Sequence, residues 1–132
     1  MNTAHRLTGF FFVGVFLVTG WYMAARFPEA YHGDHATRLV FHAAHTHILL
    51  AALMNGLLGL PSQPGRTARR PRLQRAGSVL LLVTPALFTV AFVVEPGLAD
   101  YARPYSATGV LSAFLGGLLY TAANLPRRDT AG

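Results

Sequence analysis

Four apolar runs without a single Asp, Glu, Lys or Arg constrain this chain more than any other feature. They cover residues 7–25, 39–60, 76–94 and 105–125. Each is close to the roughly 20 residues that a helix needs to cross the hydrocarbon core of a bilayer. None shows the strict alternation of a barrel strand. The sequence therefore predicts an all-α membrane protein in which four transmembrane helices form a single four-helix bundle over residues 1–132.

The composition supports lipid as the solvent. Apolar residues make up 52% of the chain and charged residues 12%, which is about half the usual charged share of a soluble domain. The chain has no cysteine, so disulfides, thiolate metal sites and iron–sulfur clusters are excluded. The links at 26–38, 61–75 and 95–104 are short, and we expect consecutive helices to be antiparallel neighbours.

The arginines predict the orientation. The net charge is +6 and the pI is about 10.8, but the arginines fall at the ends of apolar runs, which favours a topogenic role over nucleic-acid binding. Eight of them lie on one side of the predicted membrane: Arg6, Arg66, Arg69, Arg70, Arg72, Arg75, Arg127 and Arg128. The positive-inside rule then predicts a multi-pass protein of the inner (cytoplasmic) membrane with both termini in the cytoplasm.

Three histidines, His42, His45 and His47, lie inside the second run. Ionisable side chains are costly in hydrocarbon, so such a cluster is by default a hypothesis of a functional site. At ~100° per residue, His42 and His45 share a helix face, on which Arg38 lies one turn earlier, whereas His47 points nearly the opposite way. The three are expected in the outer half of the helix, and Asp34 is the predicted N-cap.

Imidazole is a common ligand of metals and of heme iron. We expect His45 and His42 as metal ligands, His47 as a further candidate, and Arg38 as a partner for a heme propionate. The small residues Ala52 and Gly56, farther along the same face, predict a groove for the porphyrin. The alternative is a zinc or copper ion without a porphyrin. The side chains with suitable ligand atoms for such an ion are His32, His35, His42 and Asp34. The alternative without a bound ligand is that these histidines only form hydrogen bonds to a neighbouring helix, each worth on the order of 1 kcal/mol.

The segment from Arg38 to Leu60, with His45-Thr46-His47 followed by a Leu/Ala/Gly-rich run, resembles the second transmembrane helix of the catalytic subunit of heme-copper oxidases. The likeness is closest to the nitric oxide reductase branch. By this resemblance His45 is an axial ligand of a low-spin heme b. The likeness covers only the first two spans. His47 stands where the family has Asn, His42 stands where it has Arg, and the later helices with their copper and second heme ligands are missing.

A heme with two imidazole ligands needs a second axial ligand, and two residues of one helix cannot grip opposite faces of one porphyrin. A two-fold homodimer that shares a heme between two copies of His45 is the simplest solution, with Met23 or a link histidine as alternatives. The expected functions are therefore electron transfer or gas sensing by heme b, with a quinone as a candidate redox partner. The alternatives are zinc or copper binding or transport, and a non-catalytic accessory subunit. No pattern of classical enzyme chemistry is present.

Overall fold

The structure, a computed structural model, describes residues 2–60, 70–98 and 102–125. This part of the chain is helical and contains no strand. The helices are α1 (Asn2–Ala30), α2 (His35–Leu58), α3 (Pro71–Val94) and α4 (Pro104–Asn124), and a 3₁₀ turn (Glu95–Gly97) follows α3. All four long helices are long and apolar enough to cross a membrane. The predicted all-α transmembrane fold is confirmed, whereas the side that faces the cytoplasm stays a prediction.

The helices begin earlier than the apolar runs because their ends depend on caps rather than on hydropathy. The side chain of Asp34 accepts a hydrogen bond from the backbone N–H of Thr37 at 3.0 Å, which confirms the predicted N-cap of α2. Hydrogen bonds from the Thr37 backbone and hydroxyl lower the pKa of Asp34. Helices α3 and α4 both begin with proline, whose missing N–H needs no partner in the first turn of a helix.

Each helix packs mainly on its neighbours in the sequence: α1 on α2, α2 on α3, and α3 on α4. The two central helices therefore separate α1 from α4. A buried apolar cluster lies where α1, α2 and α3 meet, and it is rich in aromatic side chains. Its members are Met23, Phe27, Phe41, Ala44, Ile48, Ala51, Phe88, Ala91 and Phe92.

Glycines let the helix pairs approach closely. A methyl group on Gly9 of α1 would lie 2.7 Å from the backbone nitrogen of Gly56 in α2. A methyl group on Gly77 of α3 would lie 2.7 Å from the carbonyl oxygen of Gly116 in α4. Real Cβ atoms essentially never approach another heavy atom this closely. Each of these two glycines is therefore required for the close approach of the helices.

Helix α3 continues through Pro85, and the neighbouring helix α2 compensates for the proline. Proline has no N–H, so the carbonyl of Leu81 loses its partner within the helix. The side-chain amide of Asn55 in α2 donates to that carbonyl at 2.9 Å. A polar side chain from α2 thus satisfies a backbone acceptor that hydrocarbon would leave unpaired.

A buried carboxylate joins α3 to α4 at the end of the molecule that also carries Asp34. Glu95 is 0% exposed. It accepts hydrogen bonds from the Ser106 backbone N–H at 2.6 Å and from the Ser106 hydroxyl at 2.5 Å, and Arg103 lies 3.3 Å away. Full pairing explains how this charge is buried. Glu95 thus closes the connection between α3 and α4.

Candidate functional site

His45 lies in the crevice between α1 and α2. Its ring stacks on Phe16 of α1, with a centroid distance of 4.0 Å and an interplanar angle of 17°. Its Nδ1 is 2.9 Å from the hydroxyl oxygen of Thr19, one turn farther along α1. Two residues of α1 therefore fix both the plane and the rotation of this imidazole.

The hydrogen-bond network also assigns the tautomer of His45. The hydroxyl of Thr19 donates its single hydrogen to the carbonyl of Phe16 at 2.9 Å. Towards His45 the Thr19 oxygen can then only accept, so the hydrogen of the neutral imidazole lies on Nδ1. The lone pair consequently lies on Nε2. Metal-binding histidines are commonly held in this way, with the second ring nitrogen donating to a fixed acceptor.

Gly20 lets the ring of His45 lie directly against α1. A methyl group at Gly20 would lie 3.2 Å from Cε1 of His45 and 3.6 Å from Nε2. Any longer side chain here would extend into the region beside the ring edge. Within the described part of the chain, Nε2 has no hydrogen-bond partner. The geometry therefore leaves an oriented, free imidazole nitrogen in the crevice.

His42 and Arg38 continue the stripe of His45 towards the start of α2. His42 is exposed, and its ring meets Phe27 of α1 edge-on at 5.4 Å. The guanidinium carbon of Arg38 lies 5.4 Å from the centre of the same Phe27 ring. All three polar side chains thus border α1, which agrees with the helix face that the sequence predicted for them.

His47 lies on the other side of α2, as its position in the helical period predicted. Its ring stacks on Phe88 of α3 at 4.8 Å. It is the thirteenth of the 24 residues of α2, so it lies at mid-length rather than in the outer half of the helix. The difference arises because α2 begins at His35, four residues before the apolar run. Nδ1 of His47 is buried without a hydrogen-bond partner among the described residues.

At Ala52 and Gly56, where the sequence predicts a groove, helix α1 packs against the backbone of α2. A methyl group on Gly9 would lie 2.8 Å from the Cα of Gly56 and 2.9 Å from the carbonyl oxygen of Ala52. Small residues predict a close approach but do not say what approaches. Here it is the neighbouring helix.

His32 and His35 are exposed. Among the residues that the structure describes, no group of three or more His, Cys, Asp or Glu side chains could together hold a metal ion. Met23, an alternative second ligand, is 6% exposed within the apolar cluster. A heme needs fewer side chains than a bare ion, because the porphyrin supplies four of the ligands to iron.

His5 belongs to a buried network that the sequence did not reveal. His5 is 1% exposed. Its Nδ1 is 2.6 Å from Oδ1 of Asn55, and its Nε2 is 2.6 Å from the hydroxyl of Ser78. Asn55 donates to the carbonyls of Ala51 and Leu81, so its Oδ1 accepts and Nδ1 of His5 donates. Both ring nitrogens are therefore engaged.

The network joins α1, α2 and α3 at the end where Arg6 lies. Its partners are 50 and 73 residues from His5 in the sequence, which explains why no local pattern shows it. One signal was present: His5 is one turn before Gly9, and Asn55 precedes Gly56. These two glycines mark the contact face of α1 and α2.

No protein family, no curated protein and no solved structure matches this chain.

Proposed function

We propose that this protein is a heme b-binding integral membrane protein in which Nε2 of His45 is an axial ligand of the iron. The observation that carries the proposal is the hydrogen bond between His45 and Thr19. It gives His45 the tautomer that a metal ligand needs, with Nε2 left without a hydrogen-bond partner among the described residues. A heme with both axial positions filled by protein supplies one-electron transfer, and one with a free position supplies gas binding.

Three histidines and Arg38 differ in how well they suit a heme site. His45 has a free and oriented nitrogen. His5 has none, and it lies 15 residues before Gly20 in α1, roughly 22 Å away along the helix axis. The ring of His42 has no hydrogen-bond partner among the described residues and borders the same crevice, so His42 is the second candidate ligand. Arg38 continues this stripe and carries the charge that a propionate needs.

The second axial ligand comes from a second copy of the chain in this proposal. Two copies related by a two-fold axis present the same surface to each other, so each contributes its own His45 to one shared heme. The crevice offers apolar contact for a porphyrin: Leu17, one turn before Gly20, is 64% exposed, and Trp21 is 72% exposed. A quinone in the same membrane is the proposed redox partner.

The test is the absorption spectrum of the full chain purified in a mild detergent. We expect a Soret band, a six-coordinate spectrum, and one heme for two chains in a dimeric particle. His45→Ala should lose the heme while its circular dichroism stays helical. His32→Ala, which changes an exposed histidine in the link before α2, is the matched control and should keep it.

Thr19→Val tests the tautomer argument itself. Loss of the acceptor for Nδ1 should weaken heme binding roughly 10-fold to 100-fold. Thr89→Val is the matched control, because the Thr89 hydroxyl bonds only within its own helix, to Pro85.

Three results would overturn the proposal. Heme retained in full by His45→Ala would exclude His45 as the ligand. Colourless protein carrying zinc or copper would favour the bare-ion alternative. Colourless, metal-free protein that loses a partner subunit when His42, His45 and His47 are all replaced would identify an accessory subunit.

A further inference from the structure

A second site lies on the opposite side of α2 from His45. A cavity of about 480 Å³ opens between α2, α3 and α4, where α4 packs on α3 and leaves α2 uncovered. Its walls are apolar and aromatic, with His47 and Thr84 as the polar exceptions. This volume lies within the range of roughly 300–1,000 Å³ typical of small-molecule sites.

His47 supplies a hydrogen-bond donor to this cavity. Its Nδ1 is buried and unpartnered within the described residues, so the nitrogen that faces the cavity is Nε2. A buried N–H without an acceptor costs more than a buried lone pair, so the ring hydrogen belongs on Nε2. Thr84 does not compete as a donor, because its hydroxyl donates to the Leu80 carbonyl at 2.8 Å.

The arrangement is selective for a flat ring. His47 stacks on Phe88 at 4.8 Å with an interplanar angle of 18°. The Phe88 ring in turn lies against Gly109 of α4, where an added methyl group would come within 2.7 Å of Cε1. Phe114 adds a further aromatic wall. Two parallel rings beside an open slot favour a third ring that packs against them.

Depth in the membrane decides between the molecules that could offer an acceptor. His47 lies 12 residues after the start of α2, roughly 18 Å along the helix axis. Ester carbonyls of phospholipids lie at the interface, outside a hydrocarbon core about 30 Å thick. Acyl chains reach this depth but carry no acceptor, and they would leave the N–H of His47 unpaired.

We infer that this cavity binds the carbonyl-bearing ring of a quinone, with Nε2–H of His47 donating to one quinone oxygen. The ring packs beside His47 and Phe88, and the isoprenoid tail leaves through the opening towards lipid. The inference concerns binding alone. It does not depend on heme at His45, and it gives a binding site to the quinone proposed above as the redox partner.

The experiment measures binding of a short-chain benzoquinone to the full chain in detergent by titration calorimetry, with binding of an alkylbenzene analogue that has no hydrogen-bond acceptor as the reference. We expect one quinone for each chain and at least 5-fold weaker binding of the analogue, as the loss of one hydrogen bond implies. His47→Leu should lose the preference for the quinone, and His47→Gln, which keeps an N–H donor, should restore it. His32→Leu is the matched control outside the cavity and should bind as the unaltered chain does.

Ala113→Phe gives an independent test, because Ala113 lines the cavity and a phenyl ring there would fill it. We expect this variant to lose quinone binding while it keeps the helical circular dichroism and any heme. Equal affinity for quinone and analogue, or unchanged binding by His47→Leu, would show a nonspecific lipid groove and overturn the inference. A change of oligomeric state in Ala113→Phe without loss of quinone binding would overturn it as well, since the groove would then be an interface between copies.

Discussion

Two histidines that are two residues apart in α2 differ in which ring nitrogen is free, and their neighbours decide this. Thr19 holds the Nδ1–H of His45 and exposes a lone pair. Nothing in the described part of the chain accepts a hydrogen bond from Nδ1 of His47. We therefore place its ring hydrogen on Nε2, at the cavity. The first arrangement suits a metal ion and the second suits a carbonyl oxygen.

At the residue scale, Gly20 provides a test of the proposed heme site that leaves every histidine in place. Gly20→Leu should abolish heme binding, because its side chain would occupy the space beside Nε2 of His45. Gly14→Leu is the matched control in the same helix, since a side chain there meets nothing within 4 Å. The heme content of the purified variants is the measurement. Equal heme in both would contradict the placement of iron beside Gly20.

Sequence reasoning predicted the two histidine faces because the helical period alone determines them. It could not predict the tautomer of His45, because Thr19 lies 26 residues away in another helix. It could not predict the buried network of His5 for the same reason, because the partners of His5 lie 50 and 73 residues away. Hydropathy shows which segments enter the membrane, whereas side-chain partners depend on how the helices rotate and slide against one another.

At the scale of elements, the contact between α2 and α3 includes a side-chain hydrogen-bond donor that replaces a missing backbone donor. Pro85 withdraws the N–H that the carbonyl of Leu81 would receive in a regular helix, and Asn55 replaces it. The same Asn55 holds His5 of α1. One amide therefore fixes the rotation of three helices at this end of the bundle.

Asn55→Leu should lower the free energy of unfolding by about 1–3 kcal/mol, because it leaves the Leu81 carbonyl and the N–H of His5 unpaired. Unfolding in mixed detergent micelles, followed by circular dichroism, is the measurement. Asn124→Leu is the matched control: Asn124 is exposed and donates only to Tyr120 of its own helix, so we expect a change within about 0.5 kcal/mol.

A double-mutant cycle tests whether Asn55 compensates for the backbone N–H that Pro85 lacks. Pro85→Ala returns an N–H to the Leu81 carbonyl, so Asn55→Leu should cost less in that background than in the original chain. Strictly additive effects would contradict the compensation between Asn55 and Pro85.

At the scale of the whole molecule, the charge distribution predicts which end of the bundle faces the cytoplasm. Among the described residues, Arg6, Arg70, Arg72 and Arg75 lie at one end without a carboxylate, whereas the arginines at the other end (Arg26, Arg38 and Arg103) are accompanied by Glu29, Asp34 and Glu95. Topogenic arginines belong to the cytoplasmic side. His32 should then be extracellular or periplasmic, and Thr3 should be cytoplasmic.

Single cysteines can test this orientation cleanly because the chain has none of its own. In intact cells, His32→Cys should react with a membrane-impermeant maleimide, and Thr3→Cys should react only after the membrane is opened. Both positions are exposed in the structure, so access to the reagent reports on the side of the membrane. The reverse pattern would invert the proposed topology.

The missing amide hydrogen of Pro85 also has a consequence for biogenesis. A nascent third span that entered lipid alone would expose the Leu81 carbonyl to hydrocarbon, whereas the preceding span already carries the Asn55 amide that caps it. The second and third spans should therefore leave the insertion machinery as a joined hairpin, onto which the first and last spans then dock from opposite sides.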